Sequence, residues 1–214
     1  MYGNGVPKEH SAAVDWFRKA AEQGNATGQA SLGFMYKNGL GVSQSASEAL
    51  AWYRKAAEQG NALAQANLGA MYERGEAGLP KNALEAVRLY RSAAEQDNAG
   101  GQTNLARMYF HGNGVRKNID EAIKWWRRSA DQGNAAGQND LGWAHFLGLG
   151  VPKDFVQSHK WLNLAVARVQ PWQKDVQVRA RTNRDHVAAQ MTSAQINEAQ
   201  RLAREWKPRP TDAK

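Results

Sequence analysis

The residues in this chain with the types needed for chemistry are few and scattered. Five histidines stand at His10, His111, His145, His159 and His186. No two of them have the spacing that puts two metal ligands on one helix face. His145 falls in a column otherwise held by tyrosine (Tyr36, Tyr72, Tyr109), which assigns it to packing. There is no cysteine, so disulfides, thiolate zinc sites and thiol nucleophiles are excluded. No serine stands in a nucleophile elbow or an S-x-x-K pattern. Gly-x-Gly recurs at Gly3/Gly5, Gly39/Gly41, Gly112/Gly114 and Gly148/Gly150. Each lacks the third glycine and the preceding strand of a dinucleotide loop. With no acid, base, nucleophile or metal cluster in view, no enzyme activity and no cofactor are expected.

Two other sets of residues could bind rather than react. Gln29, Gln65, Gln102 and Gln138 recur on an otherwise apolar stripe, where a buried amide needs a partner. That partner is either backbone of the adjacent repeat or the backbone of a bound peptide. The second set is basic. From Val166 to the end there are ten Lys/Arg against five Asp/Glu, whereas the preceding 165 residues hold 18 against 15. Arg179, Arg181, Arg184, Arg201 and Arg204 could therefore meet an envelope glycan or another polyanion. The tail lacks a dense basic run with interleaved aromatics, so nucleic acid is not an expected partner.

The elements that must position these residues are set by a repeat. The string AAEQGN occupies Ala20–Asn25 and returns at Ala56–Asn61. It comes back as AAEQDN at Ala93–Asn98 and SADQGN at Ser129–Asn134, a period of 36 or 37 residues. A period in that range means a solenoid of helix pairs. One helix of the pair carries Ala49, Trp52, Tyr53, Ala56 and Ala57 on a single face; the other carries Gln65, Leu68, Gly69 and Tyr72. Gly or Ala after the leucine leaves room for a neighbouring helix. One pair cannot bury both sides of its apolar stripe, but stacked pairs can. Within the string, Gly24, Gly60 and Gly133 are expected to end one helix and Asn25, Asn61, Asn98 and Asn134 to cap the next. Asp97 replaces glycine in one copy. The extra residue of the 37-residue spacing lies in the turn Gly75–Gly78.

The column pattern Ala-x-x-x-Leu-Gly-x-x-Tyr-x-x-Gly-x-Gly-Val, then Ala-x-x-Trp-Tyr-x-x-Ala-Ala-x-x-Gly, resembles the Sel1-like repeat family, a relative of the tetratricopeptide repeats. It is written here as AQANLGAMYERGEAGLPKNALEAVRLYRSAAEQ and its neighbours. The resemblance spans about Gly3 to Val166. It implies an all-α fold, a right-handed α/α superhelix of about 36-residue helix pairs. A partial first unit is followed by repeats near 25–59, 61–96, 98–132 and 134–166. The segment RDHVAAQMTSAQINEAQRLAREW resembles the closing segment of bacterial members, so 167–207 is expected as a helical capping pair and 208–214 as a disordered tail. Val176, Ala180, Asn183, Val187 and Met191 form one stripe of that cap, Thr192 and Gln195 have capping-box spacing, and Pro208 and Pro210 stop the last helix.

By the same resemblance the first helix of each pair lines a concave groove. That implies a protein or peptide partner, with Ser31, Phe34, Asn67, Glu73, Arg74, Asn104, Arg107, His111, Asp140 and Trp143 facing it. Asparagines suit the N–H and C=O of an extended peptide, and aromatics and arginine are the usual interface anchors. The first unit is incomplete, because GNGVPK at Gly3–Lys8 matches the mid-unit turn GNGVRK. Trp16 and Phe17 then lack a covering helix, which is expected of a fragment or of a face for self-association. The opening residues show neither a charged leader nor an apolar run, and no stretch reaches the roughly 18 apolar residues of a membrane span. Bacterial relatives are often exported, so the periplasm or cell envelope is the expected compartment.

Overall fold

A computed structural model describes residues 8–209 of the 214. Among them are eleven α-helices and no strand. The protein divides into two compact units, Met1–Gln96 and Asp97–Lys214. In the first lie α1 (Lys8–Glu22), α2 (Ala26–Asn38), α3 (Ala46–Glu58), α4 (Ala62–Arg74) and α5 (Ala83–Glu95), with a 3-10 turn at Glu76–Gly78. In the second lie α6 (Ala99–His111), α7 (Ile119–Asp131), α8 (Ala135–Leu147), α9 (Phe155–Arg168), α10 (Lys174–Ala188) and α11 (Ser193–Glu205). Sequential helices pack as neighbours in each unit, the arrangement of an α-solenoid.

Two kinds of turn alternate, and each is written in the sequence. The short one is the repeated hexamer. Gly24, Gly60 and Gly133 take φ of 83°, 84° and 87°, and Asp97 takes 59° in their place. The following asparagine caps the next helix: Oδ1 of Asn25, Asn61, Asn98 and Asn134 accepts from the backbone N–H three residues on, at 2.8–3.0 Å. Asp97 is a non-glycine residue in the left-handed region, which costs conformational energy; its carboxylate accepts from Gln102 Nε2 at 3.2 Å. The long turn closes differently. The N–H of its last residue (Ser45, Asn82, Asn118, Asp154) donates to the carbonyl of Tyr36, Tyr72, Tyr109 or His145. The inserted residue of the longer repeat is taken up by the 3-10 turn, where Ala77 has φ 54°.

The core is made by aromatic rings lying on glycine. Tyr53 and Tyr90 are fully buried. Their ring carbons sit 2.9 Å from where a Cβ would stand on Gly33 and Gly69. Leu162 lies equally close to Gly142. A methyl group there would push the two helices apart, so the Leu-Gly pair sets the helix spacing.

The last two helices cover the last repeat. Both α10 and α11 pack on α9, and α10 also meets α8. Val187 is buried in one cluster with Phe146 and Leu162. Thr192 and Gln195 form a complete capping box. Past α11, Trp206 stands edge-on to Trp161 with centroids 6.1 Å apart, and the Arg168 guanidinium lies 4.6 Å from its ring. The Arg209 N–H then reaches the Asp131 carbonyl at 2.7 Å. Helix α11 ends at Glu205, ahead of Pro208; Pro210 and the Gly3–Pro7 turn lie outside the described residues. At the other end Trp16 is 71% exposed and Phe17 is half-buried. Among the described residues no helix is long and apolar enough to cross a membrane.

Candidate functional site

In the first unit, the residues expected to face a partner are largely engaged with their neighbours. Asn67 Nδ2 donates to its own helix at Leu63 O (2.9 Å), while its Oδ1 accepts from Lys37 Nζ at 2.8 Å. Burial, reinforced by the nearby Arg74 charge and opposed by Glu76, holds the Lys37 ammonium below its ordinary pKa. Glu73 accepts from the buried Tyr90 hydroxyl at 2.6 Å, and Arg74 pairs with Glu76 at 3.0 Å. Ser31 and Phe34 are half-buried on α2.

The second unit gathers its candidates around a cavity of about 440 Å³, within the range of small-ligand sites. Arg107 and His111 come from α6, Asp140 and Trp143 from α8, and Arg179 from α10. Asn104 is half-buried and does not line it. A series of polar contacts links three helices. Arg107 Nε donates to Asp140 Oδ2 at 2.7 Å, Asn139 Nδ2 to Asp140 Oδ1 at 2.8 Å, and Asn183 Nδ2 to Asn139 Oδ1 at 3.0 Å. The carboxylate of Asp140, 12% exposed, is thus met on both oxygens, and the Arg107 side chain is 32% exposed. Aromatic rings complete the walls. Phe110 lies 5.3 Å from Trp126, and Trp143 stacks on Phe146 at 4.9 Å. His186 of α10 comes within 5.9 Å of Trp143, so the cap covers part of that ring.

Two of the residues that line this cavity each carry a donor without an acceptor. Arg107 Nη2 and Trp126 Nε1 are buried and unpaired. Trp126 reads in the sequence as packing alone, and nothing in its column signals otherwise. Asn139 and Arg179 are equally hidden there, since only the fold brings α10 against α8.

The basic tail is partly paired with its own carboxylates. Arg201 pairs with Glu198 and Glu205, both at 2.7 Å, and Arg184 with Asp185. Arg179 belongs to the cavity, while Arg181 and Arg204 are exposed. The polyanion reading finds no support in this arrangement.

The glutamine column is engaged between repeats. Gln29 and Gln138 donate to the backbone carbonyls of Ala21 and Ala130 at 3.2 Å. A second contact is invisible in the sequence: the Gln of the next hexamer reaches back. Gln59 donates to Gln29, Gln96 to Gln65 and Gln132 to Gln102, at 2.8–2.9 Å. Gln138 Oε1 has no such donor.

Comparison with known proteins identifies the repeat. The Sel1 repeat family model matches residues 1–25, 26–61, 62–98, 99–134 and 135–168. No curated protein matches the chain. Among solved structures, a protective antigen of uropathogenic Escherichia coli displaying an SLR fold is 37% identical, with TM-score 0.73. The match covers 90% of this chain and 40% of the antigen, so the chain spans less than half of that protein. A Sel1 repeat protein from Oxalobacter formigenes is 31% identical with TM-score 0.70, over 95% of this chain and 80% of that one. An immunity protein from Pseudomonas aeruginosa, 18% identical with TM-score 0.53 over 82% of this chain and 74% of its own, shares the fold. With its matches running in phase from the first residue to 168, the chain belongs to the Sel1 repeat family.

Proposed function

We propose that this chain is a non-enzymatic adaptor that holds a partner protein or peptide on the faces of its first helices, with the cavity of the second unit as the anchor. Sel1 repeats are typically protein-interaction modules, and that is the setting for the reading. The observation that carries it is local. Arg107, His111, Asp140 and Trp143, four residues from two repeats, line one cavity with aromatic walls and a prearranged arginine. Rigid aromatic and arginine anchors in a partly desolvated hollow are where interfaces concentrate their affinity. Asn67 in the first unit and Asn104 in the second are each assigned to peptide backbone on their own unit's face, Asn67 by exchanging its Lys37 contact.

Selection of displayed random peptides on the wild-type protein tests this. Selected peptides should bind an Arg107→Ala/Trp143→Ala variant at least about thirtyfold more weakly, the size of a lost hot spot, with its thermal unfolding still cooperative. Undiminished binding to that variant would remove the cavity from the reading.

A further inference from the structure

The unpaired donors of the cavity point to the chemistry of what enters it. Buried polar groups are nearly always hydrogen-bonded, and each exception calls for a reason. Here two exceptions belong to residues that line one cavity: Arg107, through Nη2, and Trp126, through Nε1. Trp126 is 5% exposed, so its indole N–H is withdrawn from solvent. Both atoms are donors only. The ligand group they lack is an acceptor.

Charge narrows the class. The cavity's ionised side chains are Arg107 and Arg179 against the single carboxylate of Asp140. That carboxylate is already taken by Arg107 Nε and Asn139 Nδ2. Asp140 therefore fixes the guanidinium plane without using up its fork, and the excess charge is positive. A guanidinium held at Nε presents its terminal nitrogens to a planar anion, the geometry in which arginine meets a carboxylate with two parallel bonds. Apolar surface flanks this point, from Phe110 and Trp143.

We infer that the cavity takes a peptide carboxylate, bound by Arg107 with Trp126 Nε1–H as second donor and Arg179 at the rim, and with an apolar neighbour of that carboxylate against Trp143. This rests on the reading of the first-helix face as a peptide site, and it adds what that face recognises. A carboxylate reaches the cavity from the C-terminus of a peptide or from an Asp or Glu side chain.

Three synthetic peptides separate the cases: acetyl-Ala-Ala-Phe with a free C-terminus, the same peptide amidated, and acetyl-Ala-Glu-Phe-amide. Each is titrated into the full-length protein while the Trp126 indole N–H resonance, assigned by its loss in Trp126→Phe, is followed by NMR. A downfield shift with the free-acid peptide alone supports a C-terminal carboxylate. A shift with the Glu peptide alone supports a side chain, and a shift with both supports a carboxylate in either setting. In each case Arg107→Gln should weaken the dissociation constant by about tenfold or more, as expected for a charge-assisted bond. Arg107→Lys, which keeps the charge, should recover part of the loss. An equal response to the amidated peptide, or no response of Trp126 to any of the three, overturns the inference. Should Arg107→Gln unfold, Trp126→Phe followed by calorimetry decides: unchanged affinity for the free-acid and Glu peptides overturns it equally. The anchor reading fails separately, when peptides selected by display bind Arg107→Ala/Trp143→Ala as well as wild type.

Discussion

Arg107 and Asp140 come from adjacent repeats, 33 residues apart in sequence, and meet Nε to Oδ2 at 2.7 Å. The pair ties α6 to α8, and Asn139 holds the other carboxylate oxygen. It belongs at once to the stacking of two repeats and to the wall of the cavity. The two duties separate on mutation. Asp140→Ala leaves a half-buried guanidinium and the Asn139 amide without their acceptor. The expected loss of stability is about 1–3 kcal/mol, measured by urea unfolding. Asp140→Asn keeps an acceptor in place and should cost less.

The glutamine clasps should be worth measurable stability where they are buried. Gln102 is fully buried and accepts from Gln132 Nε2 at 2.9 Å. Gln132→Ala strips that acceptor of its donor, so a loss of about 1–2 kcal/mol is expected. Gln96→Ala, whose clasp to Gln65 is exposed, should cost less than half of that. Paired urea titrations with matched slopes check the order.

Gly69→Ala should be strongly destabilising for a change of one methyl group. The new Cβ would stand 2.9 Å from two ring carbons of Tyr90 and 3.3 Å from the Ala86 carbonyl. Overpacking of this kind costs about 1–3 kcal/mol, although alanine is the better helix former. A raised melting temperature in the Gly69→Ala protein would contradict the packing described for this column.

Acid should weaken the second unit through His145. Burial, the largest influence, holds its pKa below the ordinary 6.5, against the nearby Pro152 carbonyl and the Asp154 charge. Arg127 and Lys160 push in the same direction as burial. The unfolded chain then takes up the proton more readily than the folded one. The stability contribution is complete above pH 6.5 and falls as pH drops through 6.5 toward the folded value, where it levels. His159, buried with its pKa lowered first by desolvation and then by Arg184, adds a loss of the same sign. Melting temperatures between about pH 7.5 and 5 should decline, and His145→Tyr, the residue of the other three repeats, should flatten part of that decline.

Much of this fold is written in local chemistry. Gly24 and Asn25 specify their turn because a left-handed residue followed by a capping side chain has few other uses, and the same pair recurs in phase. The Leu-Gly column is legible for the same reason: a missing Cβ among large apolar residues announces a close neighbour. The cavity is not written that way. Trp126 looks like any packed aromatic, and Arg179 looks like tail charge, because which side chains share a wall depends on contacts between segments that no period relates. The Gln59–Gln29 bond lies between these extremes. Both columns are visible in the sequence, but a spacing of 30 residues says nothing about which amides face each other until the helices are stacked.

The unmet acceptor on Gln138 marks where the series of clasps ends. Thirty residues on, where a donor glutamine would stand, the sequence has Arg168, which lies over Trp206 instead. The clasp that joins one repeat to the next is thus replaced, after the last one, by a cation lying on an indole.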